Sequence, residues 1–113
     1  MRALAVHEDE LLIVFVAPPW GDALTEESGL DLRRTTPPVT EIIDLIAATF
    51  LRNRLLFATQ IHETVDPTSL MDVSARFKWS SVKSYENDAP GQNHGLVLGT
   101  IRWQPPSEGC HTT

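Results

Sequence analysis

The sequence predicts an α/β domain of order β-α-β-α-β-β, a parallel strand pair followed by an antiparallel C-terminal hairpin. Three observations carry this. Leu11 to Val16 and Arg54 to Ile61 are apolar runs of strand length. A stripe of helical period lies between them, long enough for a crossover. Two further strand-like segments, parted by a cluster of turn formers, end the folded region.

Leu11 to Val16, "LLIVFV", is continuous in apolar and β-forming residues, as in a strand covered on both faces. Pro18 and Pro19 stop it. Gly21 to Thr36 has little periodicity and reads as a long loop, a class that is functional or disordered in compact domains. From Pro38 the pattern changes. Val39, Ile42, Ile43, Ile46, Ala47 and Phe50 share one helix face, Pro37 and Pro38 suit a first turn, and the helix should reach about Leu51.

Arg54 to Ile61, "RLLFATQI", is the second strand. Strand, helix, strand in this order implies a parallel pair with a right-handed crossover. Asp66-Pro67 is a helix start, with an acceptor side chain at the cap and proline in the first turn, and Leu70, Val73 and Phe77 continue that helix. Trp79 to Glu86 and Leu96 to Trp103 follow as strands. The intervening "NDAPGQNHG" makes them an antiparallel hairpin, within which Trp79 and Trp103 are sheet packing.

The chain has 113 residues, 42% hydrophobic and 21% charged, which is the composition of one ordinary globular domain. Residues 1–104 are expected to fold and 105–113 to form a polar tail. The longest apolar run, Leu11 to Pro19, is far too short to span a membrane, and "MRALAVHEDE" lacks the pattern of a secretory leader. The single cysteine, Cys110, has no internal partner. Together these features predict a cytoplasmic protein without membrane association. The net charge of −6 argues against capture of DNA or RNA by bulk electrostatics, since such domains are basic. A nucleotide recognised here would be a single base or a cap-like end.

The segment that does not follow from fold alone is "APPWG", Ala17 to Gly21. Prolines end a strand, but they do not call for an indole directly after them. With "GLDLRRTTPPVTEIIDL", Gly29 to Leu45, and the hairpin, it resembles the C-terminal half of class I S-adenosylmethionine-dependent methyltransferases. Within that class the sequence is most similar to the trimethylguanosine synthase-like RNA cap methylases, and more distantly to amino-methyltransferases of DNA and RNA bases. Those families carry Ser, Asp or Asn, then Pro-Pro-aromatic, at the end of their fourth strand. In the cap methylases this extends to Trp-Gly and is followed by an Asp-hydrophobic-Arg element, here Asp31-Leu32-Arg33. Their last strand runs antiparallel to the rest. The resemblance spans roughly Leu11 to Trp103.

It implies a fold, the C-terminal half of a Rossmann-like methyltransferase sheet, and a function on a nucleobase or RNA amine of guanine or adenine type. Ala17, Pro18, Pro19 and Trp20 take the catalytic positions: backbone carbonyls at the prolines accept the amine hydrogens and Trp20 stacks on the base. Trp20, Gly21, Asp31, Arg33 and Arg34 take the substrate side, with the arginines able to fork onto phosphate. S-adenosylmethionine is the implied cofactor.

Two departures shape the expectation. Ala17 has no side-chain acceptor, so one amine contact is missing. No glycine-rich turn and no ribose-binding acid precede Leu11, so the cofactor half is expected from a partner chain. The alternative is a non-catalytic, self-associating remnant or binding module. Either way one edge of Leu11–Val16 is left open, predicting a homodimer through that strand, with "RALAV", Arg2 to Val6, as a further strand. His7, His62, His94 and His111 show no metal spacing, His62 reads as surface and His94 as part of the hairpin turn.

Overall fold

The computed structural model describes residues 10–27, 29–85 and 94–106, with nothing specified for the side chains of Ser84 and Tyr85. Its main sheet has four strands in the order β1-β4-β6-β5: β1 (Leu11–Val16), β4 (Arg54–His62), β5 (Trp79–Tyr85) and β6 (His94–Ile101). β1 and β4 are parallel, joined through helix α1 (Val39–Thr49), whereas β6 runs antiparallel to both β4 and β5. The mixed α/β architecture predicted above is found, with one parallel pair, an antiparallel closing pair and two helices, and with a further two-stranded ribbon between β1 and α1. The turn at 86–93, the segment Arg2–Val6 and Cys110 lie outside the described residues.

After the exposed Arg54, β4 alternates strictly between buried and half-buried residues. Leu55, Phe57, Thr59 and Ile61 face the helices, and α1 covers them with Val39 and Ile43, both fully buried. Burying side chains of this size contributes about 1.5–3 kcal/mol each. Helix α2 (Pro67–Ser74) adds Val73 to the same cluster. Arg76 ties the helices together, from Nε to Asp44 at 3.0 Å and from Nη1 to Asp72 at 3.2 Å.

The start of α2 is as its sequence predicts. Asp66 caps it, its carboxylate accepting the Ser69 N–H at 2.9 Å, and Pro67 opens the first turn. Phe77 does not continue the helix, which ends at Ser74. Its ring turns instead toward the sheet, 5.7 Å from that of Phe57. α1 stops at Thr49 rather than Leu51. Its carbonyls at Ala47 and Phe50 accept from the guanidinium of Arg102, a cation at a helix C-terminus.

Two expectations are corrected. Gly21 to Thr36 is not an unstructured loop. It holds a short 3-10 turn, Gly21–Ala23, and a small antiparallel ribbon of β2 (Leu24–Thr25) and β3 (Gly29–Leu30). The ribbon is fixed by backbone bonds to the segment after β4, Leu30 N–H to Thr64 O at 2.9 Å and Asp66 N–H to Leu30 O at 2.8 Å. These partners are distant in sequence, so local periodicity could not announce them.

The second correction concerns β1, expected to be covered on both faces. It stands at the sheet edge, and Leu11, Ile13 and Phe15 are exposed at 38%, 69% and 63%. Its alternate residues Leu12, Val14 and Val16 pack on the helix side. Both helices bury their apolar stripes in that one cluster, and no described element covers the other face of β1. Among the described residues no helix is long and apolar enough to cross a membrane.

Candidate functional site

The turn Ala17–Trp20 leaves the C-terminal end of β1, beside the end of its parallel neighbour β4. Ala17 and Pro19 are exposed and Pro18 is half-buried. Trp20 is half-buried, and its carbonyl accepts the Ala23 N–H at 2.8 Å, which turns the chain into the ribbon. Gly21 takes φ +48°, a left-handed conformation that favours glycine at this step.

The indole of Trp20 packs against two imidazoles. Its centroid lies 5.6 Å from that of His62, edge to face, and 5.9 Å from that of His94. The two histidines face each other across the β4–β6 ladder, centroids 6.4 Å apart. Three rings from three strand ends thus share one corner of the sheet. His62 Nδ1 accepts the Thr64 N–H at 3.1 Å, so a neutral ring carries its proton on Nε2 and acts as a donor there. His94 Nδ1 is buried with no hydrogen-bond partner among the described residues.

Beside His62 opens a cavity of about 360 Å³ lined by Leu24, Thr25, Glu26, Gly29, His62 and Thr64. The ribbon forms one wall and the end of β4 the other. Gly29 is required here: it has φ +76°, and a Cβ would stand 2.6 Å from Thr64. A second cavity, about 400 Å³, lies toward the opposite end of β5 under Gln104, Pro105 and Pro106 and is lined also by Trp79 and Lys83.

The residues of the Asp31-Leu32-Arg33 element are engaged with one another and with α2. Arg33 contacts Asp31 through Nε at 3.0 Å and reaches Asp66, the α2 cap, through Nη2 at 3.3 Å. The guanidinium holds the Asp31 carboxyl below its ordinary value, chiefly through that side-chain hydrogen bond. Leu32 N–H donates to the buried Ser69 Oγ at 3.1 Å. This network stitches the segment after the ribbon to α2. Arg34 is exposed, and its N–H donates to Asp31 O.

Sequence reasoning put Trp20 at the centre and passed over His62 and His94. Each stands at a strand end next to turn residues, and only the long-range β4–β6 pairing sets them opposite each other. S-adenosylmethionine brings an adenine, a ribose and a sulfonium side by side. The cavity beside His62 is at the small end of ligand pockets, which run from roughly 300 to 1,000 Å³, and carries one carboxylate, Glu26. The described residues do not fit the cofactor by themselves. No protein-family model, curated protein or solved structure matches the chain.

Proposed function

We propose that this chain is the substrate side of an S-adenosylmethionine-dependent N-methyltransferase acting on a nucleobase or RNA amine, completed by a second copy or a partner chain. The observation that carries this reading is Trp20. It follows two prolines at the end of a parallel strand and is braced by His62 and His94 beside an open cavity. A flat ring packed against both imidazoles, next to a pocket of single-base size, suits stacking of a planar ligand, worth about 1–3 kcal/mol per base. The antiparallel last strand agrees with the same resemblance.

The cofactor site belongs, on this reading, to the chain that covers the bare face of β1. On this reading the described residues contribute orientation: Trp20 sets the plane of the base, and the carbonyls of the Pro-Pro turn are acceptors for its amine hydrogens.

The second reading is a self-associating binding module without catalysis. The exposed Ile13 and Phe15 on an edge strand favour it, since such an edge recruits another chain. Calorimetric titration of the purified chain with S-adenosylhomocysteine separates the two. Micromolar binding is expected if copies of the chain assemble a cofactor pocket. Silence at millimolar ligand removes the enzyme reading for the chain alone and leaves the module.

A further inference from the structure

Two polar groups in the cavity beside His62 have defined chemistry. Glu26 sits at the tip of the ribbon, an exposed carboxylate with acceptor oxygens only. His62 is fixed in the opposite sense. With Nδ1 accepting the Thr64 N–H, Nε2 is the ring nitrogen left to donate. Leu24 and Gly29 supply apolar and backbone surface, and Thr25 and Thr64 complete the rim. The cavity therefore joins a carboxylate acceptor to an imidazole donor, close to the indole that packs on His62.

The geometry points to Glu26 and His62 as the pair that selects the ligand of this cavity: an aromatic heterocycle with an exocyclic amine next to a ring nitrogen. The carboxylate accepts an amine hydrogen and the imidazole donates to the ring nitrogen beside it. Adenine, guanine and cytosine all present this arrangement, whereas uracil presents a carbonyl where the amine would be. The inference rests on the base-binding reading above and deepens it. The cavity volume admits a single base or nucleoside, in keeping with a chain whose net charge of −6 does not favour long nucleic acid.

The test uses two nucleoside pairs that differ only in the amine: adenosine against purine riboside, and guanosine against inosine. Binding of each to the full chain is measured by calorimetry. The amine-bearing member of at least one pair is expected to bind about ten- to a hundredfold tighter, the range for a hydrogen bond to a charged group. Glu26→Ala, at an exposed ribbon tip, should abolish that preference. His62→Phe keeps a ring against Trp20 and should weaken both members of the pair by about tenfold while leaving their ratio. His62→Gln, which restores a donor near Nε2, should recover part of that loss. Equal binding of both members by the wild-type chain, or a preference that survives Glu26→Ala, overturns the inference and leaves base binding intact. Absence of binding by any of the four nucleosides removes the base-binding reading and this inference with it.

Discussion

The ring of Phe77 occupies the space where a side chain at residue 99 would begin: a Cβ built on Gly99 stands 2.1 Å from Phe77 Cδ2. Gly99 lies on β6 directly opposite Phe57 of β4, and the Phe57 and Phe77 rings are 5.7 Å apart. The absent side chain lets the segment after α2 lay an aromatic ring on the sheet. Gly99→Ala must push that ring, or the strand, out of place. Overpacking of this kind costs typically 1–3 kcal/mol, and the upper end is expected here. Urea denaturation reads it, and an unchanged midpoint would show that the ring is free to move.

Ser69 ties α2 to the segment that follows the ribbon. Its hydroxyl is fully buried, donates to Asp66 O at 2.9 Å and accepts the Leu32 N–H at 3.1 Å. Ser69→Ala leaves a buried backbone donor without its acceptor, a loss of about 1–3 kcal/mol. The destabilisation should be accompanied by faster amide exchange at Leu32, with α1 amides less affected. Unchanged exchange at Leu32 would mean that water takes over the role of the hydroxyl.

Acid should loosen the same corner. Arg33 lowers the Asp31 carboxyl from its model-peptide value of 3.8, mainly through the side-chain hydrogen bond. A depressed folded-state pKa contributes stability that is present above the unfolded value and lost as pH falls through the folded one. The contribution of Asp31 is therefore complete above about pH 5 and fades below pH 4. Asp31→Asn should flatten the acid limb of the stability curve relative to wild type, with little difference at very low pH. Parallel acid limbs in the two proteins would remove Asp31 from the account.

The elements legible in the sequence are those defined by nearby residues. Asp66-Pro67 announces the start of α2 because cap and proline act within one turn, and Val39, Ile43 and Ala47 announce α1 through their shared face. The ribbon was not legible, since Gly29–Leu30 is held by Thr64 and Asp66, more than thirty positions away. The bare face of β1 was not legible either. Six consecutive apolar residues read alike whether a second layer lies over them or not. For the site, proline and tryptophan marked the turn, but its two imidazoles meet only through the β4–β6 register.

That bare face makes the last prediction. Ile13 and Phe15 stand 69% and 63% exposed on a strand that, among the described residues, is paired on one side only, beside Leu56 and Ala58 of β4 in register. Parallel strands are normally covered on both faces, and an open apolar edge invites pairing. The wild-type chain should self-associate, with a two-fold contact the commonest geometry. Ile13→Lys with Phe15→Lys adds charge where little is buried, so the fold should stay within about 1 kcal/mol of wild type. The association, in contrast, should weaken by at least tenfold. Sedimentation equilibrium across a hundredfold range of concentration measures both proteins. A monodisperse wild-type monomer at the highest concentration would overturn the dimer, and a lysine variant that associates as tightly as wild type would move the interface away from β1.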